Sequence, residues 1–90
     1  MNLTDLFGRS AVIRVLDILL ANPSLPWTRA LLASSSGLDP RTVRRVIPRL
    51  AALGVVRVDR EFGVVQLNDQ SELVQGLLAF YARLQAVESP

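Results

Sequence analysis

The sequence predicts a single mainly α domain with one small β-hairpin, an α+β arrangement in which the hairpin falls before a final helix. Three observations predict it. Apolar residues recur at helical spacing as far as about residue 53. The period switches to two between residues 55 and 68, and helical spacing returns from about residue 70. Ninety residues, half of them apolar and a fifth charged, suffice for one packed core and leave no material for a second.

The first element spans about residues 4–21. Leu6, Phe7, Val12, Ile13, Val15, Leu16, Leu19 and Leu20 form a wide stripe, and Asn22-Pro23 ends it. Gly8 marks an irregular start, so the regular part is about 10–21. Pro23 and Pro26 frame a connector, Ser24–Trp27, with room for a very short strand. Thr28 is a good N-cap for a second helix, about 29–35, with Leu31 and Leu32 as its buried face. Trp27 and Leu32 have the spacing of a hydrophobic staple. Gly37, after three serines, supplies the left-handed conformation common at helix C-termini. Asp39-Pro40, an N-cap followed by proline at the first helical position, opens a third helix of about 40–53 that stops at Gly54. Two helices joined by so short a turn form a helix-turn-helix pattern.

Val56 and Val58 then share one face, as do Val65 and Leu67, with Arg60-Glu61-Phe62-Gly63 as a turn between them. This is a hairpin with strands of about 55–59 and 64–68, polar at its tip apart from Phe62. Asp69 and Glu72 read as the capping box of a last helix, about 70–87. Its apolar residues fall in two rows. Leu73, Leu77, Phe80, Leu84 and Val87 alternate four and three apart, and Val74, Leu78 and Tyr81 run beside them.

Several function classes drop out. With no cysteine and no histidine there is no thiolate nucleophile, no Cys/His metal site and no imidazole base. Eight scattered carboxylates show no acid–base pairing. The chain is expected to be no enzyme, with no catalytic residues, metal or cofactor. No apolar run nears the roughly 20 residues that span a bilayer, and the first ten residues lack a secretory pattern. A cytoplasmic location follows as the expectation. No room remains for a ligand-sensing domain, so no small-molecule ligand is expected.

Charge distribution is more informative than the net +2. All ten basic residues are Arg, which alone explains a pI near 10.4. Residues 1–40 are neutral overall, residues 61–90 are acidic by three, and residues 41–60 hold six Arg against Asp59. Most of that block lies on the third helix. Val43, Val46, Ile47 and Leu50 point one way, and Arg41, Arg45, Pro48 and Ala52 the other. Arg44 and Arg49 flank the outer face and Thr42 sits near its N-terminal edge. Four Arg without an acid cannot support a helix by i,i+4 ion pairs, so they repel unless an anion meets them. A guanidinium binds phosphate bidentately, and it matches the O6/N7 acceptors of guanine in a groove that admits an α-helix. A solvated basic face on an ordinary helical domain is the plain alternative.

The stretch Leu32-Ala33 … Ser36-Gly37-Leu38-Asp39 … Thr42-Val43-Arg44-Arg45 … Leu50 … Leu53-Gly54-Val55-Val56 resembles the winged helix-turn-helix regulators of bacteria and archaea. Leu6-Phe7-Gly8 and the Arg14–Leu20 helix are similar to that family's first helix, so the resemblance covers about residues 6–68. It implies a winged helix-turn-helix domain over residues 1–68, with residues 69–90 adding a C-terminal helix. It also implies that helix 40–53 enters the major groove of double-stranded DNA while the hairpin wing touches flanking DNA. Position by position, Arg41, Thr42, Arg45 and Arg49 would face the groove, Arg44 the phosphates, and Arg60 would sit on the wing. Thr28 and Arg29, at the start of the second helix, would meet backbone phosphate. Two features depart from the pattern: Pro48 should bend the recognition helix, and Glu61 would repel phosphate if turned inward. Phe62 either packs back on the domain or wedges against DNA sugars. Arg9 and Arg14 are phosphate contacts or solvated charges.

The doubled seam on the last helix predicts a homodimer. Leu73, Leu77, Phe80, Leu84 and Val87 would meet a second copy and the parallel row would pack on the domain; both rows packing within one chain is the alternative. Two copies would read half-sites about 34–36 Å apart or a multiple of that. The expected function is sequence-specific double-stranded DNA binding by a dimer, most simply as a nucleoid-associated transcriptional regulator. The alternatives are an architectural or partition protein that coats DNA with little base preference, and a winged-helix module that binds protein.

Overall fold

Gly8 splits the first apolar run in two. In the computed structural model, which describes residues 1–87, α1 (Leu3–Phe7) ends at Gly8 with φ 88°, a conformation that disfavours any side chain. The chain restarts at Ser10, whose hydroxyl accepts the Ile13 N–H at 3.3 Å and caps α2 (Ala11–Ala21). What reads in sequence as one stripe over 4–21 is therefore two helices. Asp17 of α2 joins them, its carboxylate accepting the Leu3 and Thr4 N–H groups at 2.7 and 3.1 Å. Those donors have no partner inside α1, and a carboxylate at a helix N-terminus also meets the positive end of the dipole.

Strand β1 (Trp27–Thr28) fills the short connector, and α3 (Arg29–Ser36) follows with the Thr28 hydroxyl accepting the Leu31 N–H at 3.1 Å. The buried face of α3 is Leu32, Ala33 and Ser36. Leu31, expected to share it, is 52% exposed because it lies a hundred degrees around the helix from Leu32. Gly37 closes α3 in the left-handed conformation, φ 70° and ψ 21°, and the Leu38 N–H donates back to the Ala33 carbonyl at 3.1 Å. Arg14 of α2 donates to the Ser36 carbonyl, placing a cation on the negative end of α3. This assigns Arg14 a structural task; it is not merely a solvated charge.

Asp39 caps α4 (Pro40–Ala52) by accepting the Arg41 N–H at 2.8 Å. The helix runs uninterrupted through Pro48. The hydrogen bond that proline denies to the Arg44 carbonyl is lost on the exposed side, where water can replace it.

Strands β2 (Val56–Asp59) and β3 (Val64–Leu67) form the hairpin, with Val56 opposite Leu67 and Val58 opposite Val65. β1 adds to the other edge of β3, pairing Trp27 with Val65, so the sheet is three-stranded and antiparallel in the order β1-β3-β2. Asn68 closes the base of the hairpin: its N–H donates to the Val55 carbonyl at 2.9 Å and its Nδ2 to the Gly54 carbonyl at 3.0 Å.

The last helix, α5 (Glu72–Ala86), starts later than the Asp69/Glu72 box predicts. Ser71 is the cap, accepting the Val74 N–H at 3.4 Å, while Asp69 is drawn to Arg57 at 3.2 Å. Residues 88–90 of the 69–90 segment lie outside the described residues. One core joins these elements through Leu3, Val15, Leu19, Leu32, Val43, Ile47, Leu50, Val65 and Val74. The fold is mainly helical with a small antiparallel sheet, an α+β arrangement. Among the described residues no helix is long and apolar enough to cross a membrane.

The cap across α2 and α3 makes a first prediction. Arg14→Met keeps the aliphatic stem but leaves the Ser36 carbonyl without its donor, and should lower unfolding free energy by about 1–2 kcal/mol. Urea denaturation followed by circular dichroism measures it.

Candidate nucleic-acid interface

Four buried side chains hold α4 to the core. Val43, Val46, Ile47 and Leu50 are each no more than 4% exposed, at the i, i+3, i+4, i+7 spacing of one helix face. The outer face is thereby set: Arg41, Arg44, Arg45 and Arg49 are exposed and Thr42 is half-buried at the edge. Among the described residues none of these four guanidiniums pairs with a carboxylate or donates a hydrogen bond to the protein, and neither does Arg60. Arg41 and Arg45, and Arg45 and Arg49, are i,i+4 neighbours of like charge, each pair destabilising by roughly 0.2–0.5 kcal/mol.

Clefts flank the ridge of α4 on both sides. One, of about 280 Å³, lies between α4 and the start of α2 and is lined by Ser10, Ala11, Val12, Thr42, Arg45, Val46 and Arg49. The other, of about 490 Å³, lies between the second half of α4 and the hairpin, lined by Arg29, Ile47, Pro48, Ala51, Ala52, Val58 and Arg60. The structure thus gathers Arg45 and Arg49 on one side, with Arg29 and Arg60 on the other. Arg29 comes from the opening turn of α3 and Arg60 from the hairpin turn, thirty-one residues apart in sequence. Thr28 beside Arg29 is exposed, and its hydroxyl is engaged as the cap of α3 while its proton stays available to an acceptor.

Asp59 shapes the hairpin tip by accepting the Glu61 and Phe62 N–H groups at 3.0 and 3.4 Å. Phe62 is 72% exposed, so of its two readings the one in which it packs back on the domain is not realised. Glu61 is exposed beside it. Arg57, the other basic residue of the hairpin, faces away from α4 and is neutralised by Asp69.

Two contributors are invisible in the sequence pattern. The start of α2, with Ser10, is brought beside Arg45 and Arg49 only by tertiary packing. Arg14 was legible as a charge but not as the cap of α3. Among the described residues no group of three Asp or Glu side chains could hold a metal ion. The site offers fixed positive charge and bidentate donors, with the N-terminal turn of α2 lining the same cleft, a set suited to anionic oxygens.

The seam predicted on α5 is divided by the structure. Leu84 is 7% exposed and Leu77 half-buried, both packed on the domain beside Val74, Leu78 and Tyr81. Leu73, Phe80 and Val87 remain outside, 49%, 40% and 67% exposed. The core-facing arc of α5 runs from Leu84 round to Leu78, wide enough to take in two of the five seam positions.

Like charge on α4 has a measurable signature in the free protein. Arg45→Gln removes the member shared by both i,i+4 pairs and should raise unfolding free energy by about 0.4–1 kcal/mol at low ionic strength. The gain should fade in thermal melts as added salt shortens the Debye length.

No protein-family model, no curated protein and no solved structure matches this chain, so what the face of α4 can do rests on its own geometry.

Proposed function

We propose that this chain is a winged helix-turn-helix protein that binds double-stranded DNA, most simply as a transcriptional regulator. In this reading α3 and α4 are the helix-turn-helix, α4 is the recognition helix and β2–β3 the wing. One observation supports it above the others: four exposed arginines, without carboxylate partners among the described residues, share the outer face of a helix whose inner face is locked in the core. A solvated basic face would relieve the same repulsion at little structural cost by interleaving acids, and α4 has none between Pro40 and Ala52.

The chemistry follows from the placement. Thirteen residues make a helix of about 20 Å, and the major groove is about 12 Å wide, enough to admit it. Arg41, Thr42, Arg45 and Arg49 face the base edges, where a guanidinium spans O6 and N7 of guanine. Arg44 turns to the phosphates. Arg29 and Arg60, on the hairpin side of α4, meet the backbone of flanking DNA, with Thr28 donating from the same region. The start of α2 beside Arg45 and Arg49 supplies N–H groups to the phosphates on the opposite side. No catalytic group, cofactor or small-molecule ligand enters this scheme, and a nucleoid-associated location in the cytoplasm accompanies it.

Fluorescence anisotropy with labelled duplexes at low salt tests the reading, after selection of preferred sequences from a random pool. Arg41→Ala or Arg45→Ala should weaken binding to the preferred duplex by about 1–3 kcal/mol and relax base preference. Arg44→Ala should weaken all duplexes evenly and reduce the salt slope by about 1. A chain that binds no duplex at low salt would overturn the proposal. Footprinting then separates a bounded site, expected of a regulator, from spreading protection, expected of a protein that coats DNA.

A further inference from the structure

We infer that α5 is the docking surface for a second copy of this chain, the two helices crossing antiparallel with Phe80 of each seated on Gly76 of the other. The inference stands on α1 and α5, apart from the arginine face.

Leu6 and Phe7 of α1 are 48% and 58% exposed, and the Phe7 and Phe80 rings lie 6.2 Å apart, tilted by 38°. Phe7 of α1 and Phe80 of α5 therefore form one exposed apolar patch, with Leu73 and Val87 exposed on the same face of α5. Such a patch on a domain this small marks an interaction site.

Gly76 sits in the middle of α5 and is exposed, and a Cβ added there would meet nothing within 4 Å. Its own chain thus gives no reason for glycine, which lowers helix stability by roughly 0.5–1 kcal/mol relative to alanine. A glycine at such a position permits another helix to come close.

The spacing and the charges specify the occupant. Leu73, Gly76, Phe80, Arg83 and Val87 alternate three and four apart, the repeat of a helix-pairing seam. This seam is turned from the predicted one by a single position at Leu77 and Leu84, both of which face the core. An antiparallel pair centred at residue 78 sets Phe80 over Gly76 twice and lays the Arg83 stem against Leu73 twice. It also brings Glu72 of each copy to Arg83 of the other. Neither Glu72 nor Arg83 has an ion-pair partner among the described residues. A parallel pair would instead oppose Glu72 to Glu72 and Arg83 to Arg83, and leave a gap between facing glycines. Self-complementarity of shape and of charge holds for two antiparallel copies of this surface.

Sedimentation velocity on the full chain, from about 1 to about 100 µM, tests the inference across the usual range of modest affinities. A concentration-dependent dimer is expected. Gly76→Gln should raise its dissociation constant about tenfold or more, while thermal stability at the lowest concentration is unchanged or higher, as glutamine is the better helix former. Glu72→Arg and Arg83→Glu should each weaken the dimer, and the two together should restore it. A chain that stays monomeric throughout overturns the inference and leaves the surface to a different protein. A dimer indifferent to Gly76→Gln, or not rescued by the double charge reversal, overturns it as well. A dimer that binds no duplex overturns the DNA proposal alone, and a monomer that binds duplex overturns this inference alone.

Discussion

Val43, Val46, Ile47 and Leu50 hold the inner face of α4 in the core, and the rest of the surface depends on that attachment. Burying such side chains contributes roughly 1.5–3 kcal/mol each. The like-charge pairs on the outer face oppose this by roughly 0.2–0.5 kcal/mol apiece. Packing wins several-fold, so α4 stays folded with its arginines concentrated on one side and no acid of its own between them. A helix held only by its own propensity would not tolerate that arrangement. The apolar periodicity of the sequence and the exposed positive face are two consequences of one attachment.

Orientation is secured at the short turn between α3 and α4. Arg14 meets the negative end of α3 at Ser36, and Asp39 meets the positive end of α4 two residues after Gly37. Both helix termini are thus satisfied by opposite charges. Gly37 cannot readily be replaced there: its φ of 70° disfavours any side chain, and an added Cβ would stand 3.0 Å from the Arg14 guanidinium. The sheet supplies the other anchor. β1 leads directly into α3 and pairs with β3, so Arg29 at the start of α3 is held relative to the hairpin that carries Arg60. Residues far apart in sequence reach one cleft through these backbone bonds and not through contacts of their own.

How much of this is legible in the sequence depends on the range of the determining interaction. The boundaries of α3 and α4 follow from local chemistry at Thr28, Gly37, Asp39 and Pro40, and their caps have the partners local rules predict. The hairpin register follows from alternation at Val56, Val58, Val65 and Leu67. Asp17 and Arg14 are different: each caps a helix other than its own, fourteen and twenty-two residues away, and no spacing rule signals that. Asp69 looked like a cap because Glu72 stands three residues on, but Arg57 competes for its carboxylate and Ser71 serves instead. On α5, periodicity identified two apolar rows, and Val74, Leu78 and Tyr81 pack inward as that spacing predicts. It could not say how wide the inward arc is, since that depends on how the rest of the domain packs. Leu77 and Leu84 fit the four-three spacing of the seam and yet lie on the core side of it.

The arginine face and the apolar face of α5 have α2 between them, because α2 packs against both α4 and α5. An α-helix with its side chains is about 10–12 Å across, which exceeds the Debye length of about 8 Å at physiological ionic strength. Charge on α4 is therefore largely screened at α5, and association there is not opposed by the arginines of either copy. The same separation leaves α4 uncovered when α5 is occupied. A domain of this size could have hidden its surplus apolar residues under its own helices, as it does at Leu77 and Leu84. Leaving Leu73, Phe80 and Val87 outside, beside a glycine its own packing does not require, makes physical sense if a partner helix completes that surface.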